Sequence, residues 1–104
     1  MQFERRRTPR GVFGGIVEMS VLHPPEYIIA PTTNLGLFGC FVRTRTSIPV
    51  GAKVSLKITH DGREFNTPGE VVYALSEKGV GIKFGVTAPK DEALLETWLS
   101  QITI

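Results

Sequence analysis

The stretch AKVSLKIT at 52–59 constrains the fold of this chain more than any other. Val54, Leu56 and Ile58 alternate with Lys53, Ser55, Lys57 and Thr59, the period of two that turns one face of an extended strand to a core and the other to water. HDGR follows at 60–63, and its Asp-Gly pair supplies the two positive φ angles that a type I′ hairpin turn demands. The chain must come straight back as an antiparallel neighbour. That return strand is expected to break at Pro68 and Gly69, because proline has no N–H for a ladder, and to resume as EVVYAL before SEKG turns it into VGIKFGV.

Upstream, Ile16 to Leu22 and Tyr27 to Ala30 read as two strands separated by HPPE, whose consecutive prolines interrupt any ladder. PTTNLGLFG is a turn-rich connection. In CFVRTRT, Phe41 shares one face with Arg43 and Arg45, while Cys40, Val42, Thr44 and Thr46 share the other, as in a strand partly covered on both sides. Six or seven short strands with hairpin turns predict an all-β chain, a small antiparallel barrel. The last residues change period: Pro89 suits a first helical position, Asp91 and Glu92 suit the first turn, and Leu94, Leu95, Trp98, Leu99 and Ile102 form one apolar stripe. A C-terminal helix over 88–103 is expected to cover a barrel mouth or edge, a partner-binding face being the alternative. At 104 residues this is one domain's worth of chain, divided into a flexible arginine-rich leader at 1–14, a barrel at 15–87 and the helix.

Composition removes several functions. Hydrophobic residues at 41% and charged residues at 21% suit a chain that folds alone, and a net charge of +2 is too mild for a general nucleic-acid sponge. The lone Cys40 cannot form an intrachain disulfide, no apolar run is long enough to span a bilayer, and the charged start lacks a signal core, so a cytoplasmic address without membrane insertion is expected. His23 and His60 sit beside prolines and a hairpin turn, in none of the spacings that mark a metal site or catalytic triad; both read as surface histidines and Cys40 as a packing residue. An enzyme is not indicated, and neither a metal nor a cofactor is expected.

The basic charge is local. ERRRTPR at 4–10 carries Arg5, Arg6, Arg7 and Arg10, a third of the twelve basic residues, with no lysine among them. Guanidinium offers parallel donors that fit phosphate, and its plane stacks on purines, which an ammonium cannot do. Taken alone, the run is equally a solvated basic tail or a general anion patch. NLGLFG at 34–39 is a second feature: Asn34 can donate and accept at once, and Gly36 and Gly39 allow main-chain N–H groups to approach a ligand, although a plain β-turn has the same composition. Arg43 and Arg45 either extend a basic face or, more simply, are solvated strand positions.

Together these elements resemble the PilZ domain, the bacterial receptor module for cyclic di-GMP. Arg5, Arg6 and Arg10 stand in an R-R-x-x-x-R arrangement, Asn34 and Gly39 match the ends of [D/N]-x-S-x-x-G, and GVGIKF at 79–84 looks like a strand near the end of PilZ barrels. The resemblance covers essentially the whole chain. It implies a six-stranded antiparallel β-barrel with a C-terminal helix, and a leader that folds over the dinucleotide. By position, Arg6 and Arg10 would hold phosphate and guanine edges, Arg5 would add a contact, Asn34 would read a guanine edge and Gly39 would let the backbone pass close. Gly36 stands where the pattern has serine, which removes one hydrogen bond worth about 0.5–1.5 kcal/mol net. The function implied is signal transduction by an adaptor that binds cyclic di-GMP and relays the signal to an unidentified downstream protein. Two alternatives remain: a PilZ-like interaction module without ligand, and, as the weakest, a small barrel that binds polymeric RNA or DNA.

Overall fold

The computed structural model describes residues 14–32 and 34–102. The leader arginines Arg5, Arg6, Arg7 and Arg10 lie outside the described residues. Among the described residues six strands precede one helix: β1 (Gly15–Val21), β2 (Glu26–Thr32), β3 (Gly39–Arg43), β4 (Lys53–His60), β5 (Arg63–Leu75), β6 (Gly79–Phe84) and α1 (Pro89–Ile102). All pairings are antiparallel in the order β2-β1-β4-β5-β6-β3, and the sheet curls until its two edges, β2 and β3, meet without a ladder. One buried hydroxyl bridges that seam: Thr32 Oγ1 donates to the Phe41 carbonyl at 3.1 Å. The expected antiparallel barrel is therefore present as a curled half-barrel, its seam bridged by this hydrogen bond.

The alternation in β4 acts as the sequence dictates. Val54, Leu56 and Ile58 are buried, and they meet Val17, Met19 and Val21 of β1 and Phe65 and Val71 of β5 in one core. Asp61 and Gly62 have φ values of 55° and 76°, as a type I′ turn requires. β5, however, runs unbroken through Pro68 and Gly69 for 13 residues. The reason is directional. The Pro68 carbonyl accepts from Gly85 N at 2.8 Å, so its nitrogen faces the same side, where β6 has already ended at Phe84 and no ladder donor is required. β3 is shorter than CFVRTRT suggested and ends at Arg43, after which 44–46 bend away.

Helix α1 lays Leu94, Leu95, Trp98 and Leu99 on the barrel, with Trp98 near Phe65 at a ring separation of 6.3 Å. Its first turn is tied down by a buried carboxylate, Asp91 Oδ1, which accepts the Asn66 amide N–H at 2.9 Å. The apolar stripe therefore covers core, as expected of a capping helix. His60 is not a plain surface histidine: it stands edge-on to Trp98 at 5.4 Å, and its Nδ1–H donates to the Gly14 carbonyl at 2.9 Å. No helix among the described residues is long and apolar enough to cross a membrane.

Candidate functional site

NLGLFG folds as a tight β-hairpin bend. Phe41 N donates to the Asn34 carbonyl at 3.1 Å, Leu35 bridges to Cys40, and Gly36 N donates to the Gly39 carbonyl at 2.9 Å, leaving Leu37 and Phe38 at the tip. Leu35 is buried and anchors the bend, while Asn34 is exposed and its side-chain amide has no hydrogen-bond partner among the described residues. Gly39 is constrained by its neighbour across the ladder: a Cβ there would lie 2.1 Å from the Ile82 carbonyl oxygen, so any side chain would push β3 off β6.

Two adjoining clefts open beside Asn34 and share Asn34, Phe41 and Leu75. The first, about 460 Å³, is floored by Phe41 and Tyr73, whose rings lie 6.2 Å apart and nearly parallel at 23°. The second, about 650 Å³, is edged by Arg43, Arg45 and Lys78, with Glu77 beside them. Both volumes fall within the range of about 300–1,000 Å³ typical of small-ligand sites. A β-bulge sets the aromatic floor. The register shifts between Val71 and Tyr73, which brings the Tyr73 ring over Gly81, where a Cβ would sit 2.1 Å from the ring.

Three cations gather at the second cleft. Arg43, Arg45 and Lys78 have no ion-pair partner among the described residues, and with Glu77 the one carboxylate lining the same cleft the balance of charge there is positive. Arg43, at the end of β3, and Arg45, in the bend after it, are both exposed and line the second cleft with Asn34. Tyr73 and Lys78 were not singled out in the sequence; only the β5–β6 pairing brings them here. Cys40, under the same hairpin, is buried, and burial pushes its thiol up to about 12, so it stays protonated at neutral pH and cannot serve as a nucleophile there.

Of the expected site residues, the structure places Asn34, Gly36 and Gly39 on this one hairpin. Arg5, Arg6 and Arg10 lie outside the described residues, but the point from which their segment departs is fixed. Gly15, the first residue of β1, pairs with Thr32, which lies two positions before Asn34 and bonds the Phe41 carbonyl. The start of β1 and the hairpin therefore lie at the same end of the barrel. Among the described residues, no three metal-ligating side chains come together.

The six strands thus form a curled antiparallel barrel with an open, cation-edged shelf at one rim. The chain belongs to the PilZ domain family, which it matches over residues 4–101. That is a family of cyclic di-GMP-binding modules, not of enzymes. Among solved structures, the PilZ domain of CeSA from a cellulose-synthesizing bacterium is similar over 88% of this chain and 93% of that one, with a TM-score of 0.66. At 15% sequence identity the likeness is one of fold. No curated protein matches the sequence.

Proposed function

We propose that this chain is a bacterial, cytoplasmic receptor that holds cyclic di-GMP between its arginine leader and the Asn34 hairpin, and that it relays binding to a protein partner. The observation that supports this proposal is the Gly15–Thr32 pairing, by which β1 begins next to the end of β2, two residues before the NxGxxG hairpin that lines the two clefts. Guanine presents O6 and N7 as paired acceptors, which suit the forks of Arg6 and Arg10, while Arg5 adds a phosphate or base contact. The unpartnered amide of Asn34 reads a guanine edge, and the Phe41–Tyr73 floor offers a face on which a base stacks. Gly36 and Gly39 keep the hairpin low beside the ligand. Arg43, Arg45 and Lys78 supply field for the two phosphates.

Isothermal calorimetry on the full chain tests this directly. Wild type should bind cyclic di-GMP at tens of micromolar or tighter. Arg10→Ala should weaken binding by about tenfold to a hundredfold, the equivalent of a lost charge-assisted contact of about 1.5–3 kcal/mol. Folded protein that releases no heat with the dinucleotide, across temperatures that would expose a thermally silent titration, rules the proposal out.

A further inference from the structure

The hairpin that carries Asn34 has a second face. Its tip residues Leu37 and Phe38 lean towards α1 and, with Phe84 and Leu95, line an apolar groove of about 230 Å³. Phe38 is 77% exposed, an unusual position for a phenylalanine held by its own backbone, since its carbonyl accepts Phe84 N at 2.8 Å. The α1 side of the groove carries Glu92 and Glu96. They stand one helical turn apart, both exposed, with no ion pair among the described residues, and like charges at this spacing repel.

We infer that this groove docks a partner protein through a segment presenting an apolar side chain between lysines or arginines. The apolar floor takes the anchor, and the two glutamates take the flanking cations and lose their mutual repulsion. Charge complementarity decides the class of occupant: an acidic segment would meet Glu92 and Glu96 head-on, and an anionic membrane surface would be repelled in the same way. The site gives the relay proposed above a physical output, because one hairpin bend lines the Asn34 clefts on one side and this groove on the other. Its test is nevertheless independent of the dinucleotide.

The probe is a synthetic peptide of about ten residues with paired leucines flanked by lysines, titrated into the isotopically labelled full chain and followed by amide shifts. A second peptide carries glutamate for each lysine. The lysine peptide should shift Leu37, Phe38, Glu92 and Glu96, and the glutamate peptide should not. The double variant E92K/E96K should bind the lysine peptide at least about tenfold more weakly. It should keep wild-type calorimetry with cyclic di-GMP, because neither glutamate lines the Asn34 clefts. Should the reversed charges unsettle α1, E92Q/E96Q serves the same purpose with a smaller expected loss. Equal shifts by both peptides, shifts gathered on the outer face of β1 and β2, no binding of the lysine peptide, or undiminished binding by both double variants would each overturn the assignment. So would a lysine peptide that binds only after residues 1–13 are removed, since the groove would then belong to the chain's own leader. A wild type that binds the lysine peptide but not the dinucleotide would fail the receptor proposal alone.

Discussion

The β4–β5 side and the β3–β6 side of the barrel are built from similar strands and differ in what is left unsatisfied. On the first, eight consecutive pairs run from Lys53↔Glu70 to His60↔Arg63, and both outward lysines of β4 have carboxylates in reach: Lys53 has Glu70 at 2.9 Å, and Lys57 has Glu18 at 3.6 Å and Glu64 at 4.0 Å. On the second, β3 and β6 share five pairs, the backbones are so close that a Cβ at Gly39 or Gly79 would meet a carbonyl oxygen of the other strand, and the cations Arg43, Arg45 and Lys78 have no ion pair among the described residues. The first side pairs both lysines of β4 and holds the fold. The second leaves cations and aromatic faces open, which is the condition for receiving a ligand.

If that division is right, the largest loss of stability should come from the first side. Phe65 is fully buried between Trp98 and Phe84, and Phe65→Ala should cost about 3–5 kcal/mol, enough to unfold much of the population at 37 °C. Thermal or urea denaturation measures it. A loss under about 1 kcal/mol would show that the core is not centred where α1 meets β5.

Next is Gly39→Ala, which turns the comparison around by asking whether the open side also has rigid points. Its Cβ would fall 2.1 Å from backbone, not from a movable side-chain end, so β3 must shift, at a cost of about 1–3 kcal/mol. Gly14→Ala is the control, since a Cβ there meets nothing within 4 Å. Equal midpoints for the two variants would mean that β3 is loose enough to absorb the methyl group.

How much of this was legible in the sequence depended on how local the cause was. The alternation of Val54, Leu56 and Ile58 and the Asp61-Gly62 turn are set by residues a few positions apart, and both appear as read. Pro68 was misread as a break because whether a missing N–H matters depends on which side it faces and where a later strand ends. His60 looked exposed beside its turn, yet its ring environment comes from Trp98, 38 positions away in the chain. At the candidate site, NLGLFG was visible as a bend, but the reason Gly39 admits no side chain, the Ile82 carbonyl across the ladder, was not. Its partners were not: Tyr73 and Lys78 join Asn34 only through β3–β6–β5 pairing and a bulge at Val72 that nothing in EVVYAL announces.

Smaller effects separate binding from stability. Arg43→Ala and Arg45→Ala remove exposed cations without ion pairs, so denaturation midpoints should move by no more than about 0.5 kcal/mol. Affinity for cyclic di-GMP should fall a few-fold in each, the loss shrinking as salt rises through about 0.5 M, because unpaired surface cations act through a screened field. Lys53→Ala should leave affinity untouched. If Lys53→Ala weakened the dinucleotide as much as Arg43→Ala, the two sides would not differ electrostatically, and the contrast would fail.

The smallest effect is the acid response of the satisfied side. The Tyr27 hydroxyl donates to Glu18, which chiefly holds that carboxyl below its usual 4.5, with Lys57 adding to it; Glu70 is lowered chiefly by its hydrogen bond from Lys53. A carboxyl lowered in the folded state binds fewer protons there than in the unfolded chain. Its contribution is therefore complete above the unfolded value near 4.5 and is lost as pH falls through the lower folded value. Glu18→Gln with Glu70→Gln should accordingly flatten the fall of the thermal midpoint below pH 4.5, and the difference from wild type should fade in molar salt, because both groups are exposed. Arg43→Ala with Arg45→Ala should leave the shape of that acid limb unchanged, since neither cation is ion-paired with a carboxylate among the described residues. Acid limbs that superimpose for wild type and the glutamine pair would show that the β4–β5 charges are paired in geometry only, leaving packing as the sole difference between the two sides.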